Sequence, residues 1–116
     1  MKRPIHFEIL ADDPEAMGAF YQTVLDWEIS SWGGAEYWLI KTGEEGTPGI
    51  DGAIMGRQFG QAVINTMEVD SLAETLEKVT AAGGKLVHGP NEVPGVGTHA
   101  YCADPEGNLF GLMEPK

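Results

Sequence analysis

The chain has 116 residues, 42% hydrophobic and 22% charged, and a net charge of −11. This is the size of one domain, large enough to bury about two-thirds of its unfolded surface with no disulfide or metal as a staple. Seven Lys and Arg against 18 Asp and Glu exclude the clustered cations that nucleic-acid phosphates demand.

A single cysteine, Cys102, rules out an internal disulfide framework and fits a reducing, cytoplasmic setting. No apolar run approaches the length of a membrane span. The basic start, Lys2-Arg3, is followed at once by alternating polar residues and does not read as a signal peptide.

Ile5–Leu10 alternates, with Ile5, Phe7 and Ile9 on one face and His6, Glu8 and Leu10 on the other, and predicts a strand. Asp12-Asp13-Pro14-Glu15 opens a helix with a carboxylate cap and an early proline. Met17, Phe20, Tyr21 and Val24 recur at helical spacing and predict its buried face. Trp27–Ser31 and Tyr37–Thr42 read as strands joined at a Gly33-Gly34 turn, and Ile50–Gly56 as a fourth strand after a polar loop.

The order then restarts. Ala62–Val69 is apolar and β-prone, and Ser71 with Glu74 three residues on forms a capping box. Leu72, Leu76 and Val79 give a helix face that Gly83-Gly84 ends. Lys85–His88, Thr98–Ala103 and Leu109–Met113 are strands, separated by a Pro/Gly loop over Asn91–Gly97 and a turn at Asp104-Pro105-Glu106-Gly107-Asn108.

Both halves therefore read strand, helix, three strands. The offset is 58 at the start (Ile5 with Val63, Asp12 with Asp70) and 59 at the end (Gly52 with Gly111). The expectation is an α+β fold of tandem βαβββ modules, about residues 1–58 and 59–116, whose paired curved mixed sheets enclose a central cleft.

Phe20-Tyr21 with Val24-Leu25-Asp26-Trp27, Val69-Asp70 leading to Ala81-Ala82-Gly83-Gly84-Lys85, and Asp104–Asn108 before Phe110-Gly111-Leu112-Met113 carry a family likeness. The chain resembles the vicinal-oxygen-chelate superfamily of glyoxalase I, bleomycin-resistance proteins and extradiol dioxygenases. That resemblance implies a divalent metal held by His and Glu from the first and last strands of each module, and a homodimer. It does not fix the reaction, because one fold hosts many.

Residue by residue, only His6 matches the implied metal ligands. Ile64 stands where His6 repeats, and Gly52 and Gly111 stand at the two last-strand positions. Glycine supplies no side-chain donor, so the usual metal centre is expected to be missing. Glu8 shares a strand face with His6, and His99 shares one with Tyr101. A His6–Glu8–His99 set would match a facial triad in composition.

His6 and Glu8 are the candidate acid–base residues. Trp38, Ile64, Thr66, His99, Tyr101, Gly52 and Gly111 are the candidate ligand-binding positions. The glycines carry a second reading, close approach of another backbone. Trp27 is expected in the core, Cys102 buried and inert, and His88 at a surface turn. The function that follows is small-molecule binding in the cleft, comparable to the bleomycin-binding members. The alternative is a metal-dependent lyase, isomerase or dioxygenase using His6, Glu8 and His99.

Overall fold

A computed structural model describes residues 2–33 and 36–116. The described residues form eight strands and two helices: β1 Pro4–Ala11, α1 Pro14–Leu25, β2 Glu28–Ser31, β3 Tyr37–Lys41, β4 Asp51–Gly56, β5 Val63–Glu68, α2 Leu72–Ala81, β6 Lys85–Val93, β7 Gly97–Ala103 and β8 Leu109–Pro115. The fold is α+β, one βαβββ module written twice. Gly33 has φ 92, as a turn glycine does; its predicted companion Gly34 lies outside the described residues.

The first compact unit is His6–Ile64. Its strands lie in the order β2-β3-β4-β1, with β1 parallel to β4 and the other pairs antiparallel. Asp13 caps α1 by accepting from the Ala16 N–H at 3.2 Å, and Pro14 occupies the first turn, where no N–H is needed. Asp26 ends the helix in the left-handed region at φ 59. The core joins Ala11, Ile40 and Ile54 to Phe7, Ile9, Tyr21, Trp27 and Ile29. Trp27 is thus a core residue, its ring stacked on Tyr21 at 5.2 Å. A fully buried aliphatic side chain such as Ile54 contributes roughly 1.5–3 kcal/mol.

The predicted buried face of α1 is corrected. Met17, Phe20 and Val24 are exposed, and the helix turns Pro14 and Gly18 inward with Tyr21 beside them. Gly18 decides this: a side chain there would meet Ile29 Cγ2 at 3.3 Å, so its absence lets the helix lie close to β2. Periodicity locates an apolar stripe but does not say what covers it.

The second unit is Asn65–Lys116 with the first residues of the chain. Its strands lie in the order β5-β8-β7-β6, with β5 parallel to β8. Ser71 Oγ accepts from the Glu74 N–H, as the capping box requires. Leu72, Val69, Ala100, Cys102 and Leu112 form the core, with Leu76 and Val79 packed on it, as the helix pattern predicted. Asp104 accepts from the backbone N–H groups of Glu106 and Asn108, each at 2.9 Å, which fixes the predicted turn.

The predicted loop at Asn91–Gly97 is shorter than expected. β6 continues to Val93, and irregularities between Leu86 and His88 and between His88 and Asn91 absorb the Gly89-Pro90 interruption. His88 is therefore an exposed strand residue opposite Tyr101, not a turn residue.

Candidate functional site

In β1 the alternation holds. Phe7, Ile9 and Ala11 meet the core, leaving His6, Glu8 and Leu10 on the other face. Glu8 is 4% exposed, which for a carboxylate demands a donor. Tyr37, at the start of β3, supplies it: its hydroxyl donates to Glu8 Oε2 at 2.6 Å. The same oxygen lies 2.9 Å from His6 Nε2.

This chain of contacts fixes proton positions. A tyrosine hydroxyl has one proton, and here it goes to Glu8. The Tyr37 oxygen is then the acceptor, so His6 Nε2 carries the ring proton of the neutral imidazole. Nδ1 is left with the lone pair. Burial pushes the His6 pKa down, against the charges of Glu8 and Asp51, which pull it up. The product is a neutral imidazole whose positive form would be shared with a carboxylate through one phenol.

The residues the sequence singled out divide between the strands of the two units and between their faces. In the first unit, Trp38 pairs with Ile54 and falls on the core side, away from His6 and Glu8. Gly52 pairs with Phe7 and Ile40 and also lies off the His6 face. A Cβ at Gly52 would press on the Phe7 carbonyl and sit 2.7 Å from its ring. Close approach of a neighbouring strand explains this glycine, and it opens no space on the face of His6 and Glu8.

The repeat alignment at the last strands is likewise corrected. Glu8 pairs with Ala53 as Thr66 pairs with Gly111, so the counterpart of Gly111 is Ala53, at an offset of 58 throughout. His6 instead pairs with Asp51, whose Oδ1 accepts from the Thr42 N–H at 2.8 Å.

In the second unit the structure does bring candidates together. Thr66, Gly111, Tyr101 and His88 form one row across four strands, and Met113, His99 and Asn91 lie in the next. The rings of His99 and Tyr101 meet edge to face at 4.5 Å. A Cβ at Gly111 would press on Thr66 Oγ1 and lie 2.9 Å from His99 Nε2. Ile64 is fully buried on β5. Cys102 is fully buried on the core face, and desolvation raises its thiol pKa, so it is not an activated nucleophile.

A divalent metal needs three or four converging N or O donors. Among the described residues, no group of three or more His, Cys, Asp and Glu side chains is placed to hold one. Within the first unit, His6 Nε2 faces a phenol oxygen.

Tyr37 is the residue that sequence reasoning missed. Strand alternation puts it opposite Trp38, the aromatic that the sequence favoured. Its pairing with residues about thirty positions earlier is a matter of register alone.

The family model for a glyoxalase-like domain matches residues 6–113. Proteins named "Putative glyoxylase CFP32" from Mycobacterium bovis and Mycobacterium tuberculosis are 31% identical over 112 residues, 93% of this chain and 42% of theirs. The chain thus spans about two-fifths of these relatives. Among solved structures, methylmalonyl-CoA epimerase from Mycobacterium tuberculosis superposes with a TM-score of 0.71 at 16% identity, over 97% of this chain and 87% of that one.

The Streptomyces coelicolor epimerase in complex with 2-nitronate-propionyl-CoA gives 0.73 at 14% identity, over 99% and 95%. A glyoxalase/bleomycin resistance protein/dioxygenase superfamily member from Vibrio splendidus gives 0.68 at 18% identity, over the whole of both chains. At such identities these structures speak for the fold. The match over residues 6–113 shows that the chain belongs to the glyoxalase-like domain family.

Proposed function

We propose that this domain binds a small molecule on the sheet face that carries His6, Glu8 and Tyr37, without the divalent-metal centre that the family resemblance implies. One observation carries the reading: the Tyr37 hydroxyl occupies both candidate metal donors, at 2.9 Å from His6 Nε2 and 2.6 Å from Glu8 Oε2. A metal would have to displace that phenol from a buried carboxylate and then recruit further donors. Epimerases that share the fold hold methylmalonyl-CoA and 2-nitronate-propionyl-CoA, which supports a small-molecule site here.

The test is metal analysis of protein purified without chelator, with calorimetric titration of nickel, zinc, manganese and iron(II). The expected result is no stoichiometric binding. Tight one-to-one binding abolished by His6→Ala would overturn the reading and restore the metal-dependent lyase or isomerase.

A second reading, metal-free acid–base catalysis, is favoured by the fixed tautomer. His6 Nδ1 would take a proton, and the imidazolium would be stabilised through Tyr37 by Glu8. Turnover found with any substrate should then change between pH 5 and 8, and a flat profile would exclude a His6 role. The homodimer belongs to the same proposal and is read by light scattering.

A further inference from the structure

We propose that the outer face of α1 is the contact surface for a second copy of this chain, with Phe20 as its anchor. It deepens the homodimer reading and is independent of the His6 site. The duplicated module supplies an internal comparison. At the offset of 58, Asp13 and Ser71 are the two helix caps, and Pro14 and Leu72 the first helical residues. The helices differ on the side turned from their sheets. There α2 shows Glu74, Glu77 and Lys78 to solvent, the charged outer face of an amphipathic helix that meets only water. The corresponding residues of α1 are Ala16, Ala19 and Phe20, all exposed. Ala16–Leu25 holds no charged residue, in a chain of which 22% is charged.

The apolar side chains there are ready for contact. Phe20 is 53% exposed and Val24 56%, and Met17 lies on the same flank of the helix. The Phe20 ring is positioned from below: it meets Tyr21 edge to face at 5.2 Å, and Tyr21 stacks on Trp27 in the core. A ring already held in place loses little rotamer freedom on docking, which makes it a good anchor. Ala16 and Ala19 beside it let a second helix come near.

Charge and area select a second copy. The chain carries −11, so two copies repel unless they meet where carboxylates are absent. The α1 face is such a place, because Asp13, Glu15 and Asp26 sit at the ends of the helix. Two α1 helices crossing at Phe20 at about 50° would carry those ends apart. A cationic partner would find no carboxylate between Ala16 and Leu25 to pair with, and a lipid surface favours helices flanked by Lys and Arg, which α1 lacks. Met17, Phe20, Val24 and Leu25 expose roughly 400 Å² of apolar surface, about half of what each partner gives to a standard interface. The contact is therefore a reversible one, with a dissociation constant on the order of micromolar.

The test is sedimentation velocity of the whole chain from about 1 to about 300 μM, a range that brackets such a constant. The sedimentation coefficient of the parent should rise with concentration to the dimer value. Phe20→Lys and Ala19→Glu copy Lys78 and Glu77 of α2 onto α1. Each should raise the dissociation constant at least about tenfold, the cost of an unpaired charge at a contact, with circular dichroism unchanged. Glu77→Ala, on α2, should leave it unaltered. A dimer that survives both charged variants would overturn this face and leave the homodimer standing, whereas a chain monomeric throughout would overturn both. Flotation of the parent with phosphatidylcholine vesicles, lost in Phe20→Lys, would give the face to a membrane and overturn the proposal as well.

Discussion

Replacing Tyr37 by phenylalanine removes one oxygen atom and keeps the ring, which stands edge-on to Trp32 at 5.8 Å. That oxygen donates to Glu8 at 2.6 Å and lies 2.9 Å from His6 Nε2. A hydrogen bond to a charged group contributes about 1.5–3 kcal/mol and a neutral one about 0.5–1.5 kcal/mol. The two share an atom and do not add, so the expected loss is about 2–3 kcal/mol.

Urea denaturation should show the midpoint falling with the slope unchanged, the mark of a stability change alone. The His6 ring gives an independent readout. Its ¹⁵N spectrum should show one tautomer, protonated at Nε2, in the parent chain and a mixture in Tyr37→Phe. A cost below about 0.5 kcal/mol, together with an unchanged ring pattern, would refute the relay and the proton positions argued from it.

The His6 pKa is held down by burial, so the unfolded chain takes up this proton before the folded one does. The His6 contribution is therefore fully present above the ordinary value of about 6.5 and is lost as the pH falls toward the depressed folded value. Parent-minus-His6→Gln stability, measured by urea between pH 7.5 and 5, should shrink with acidification. Glu8→Gln should push the His6 pKa lower still, because it removes a charge that raises it, as an NMR titration would show. Gly52→Ala should cost more than Gly111→Ala, about 3 kcal/mol against about 1–2, because the first added carbon meets the Phe7 carbonyl and the second meets side chains that can turn; equal thermal shifts would count against this. Cys102 should resist a thiol reagent in the folded chain and react once urea unfolds it. Fast native-state labelling would contradict its burial.

The local chemistry of the chain was legible in one dimension. Alternation in Ile5–Leu10 put His6 and Glu8 on one face, the Ser71–Glu74 spacing placed a cap, and the Asp104–Asn108 turn followed from its residue types. These features depend on neighbours a few positions away, and the sequence states those neighbours directly. The duplicated module was legible for the same reason, as a pattern repeated at a fixed offset.

What the sequence left open were matters of register and cover. The Tyr37 hydroxyl donates to Glu8, because β3 and β1 each pair with β4 in a register that brings that hydroxyl to the carboxylate. The counterpart of Gly111 is Ala53 and not Gly52, a shift of one residue that changes which face of the sheet a side chain occupies. Met17, Phe20 and Val24 kept their helical spacing and still lie exposed, because Gly18 lets the helix turn a different side to its sheet. The sequence thus determined which elements form and which polar residues share a face. Only the tertiary structure decided which of those residues touch, since strand pairing is set by contacts between residues tens of positions apart.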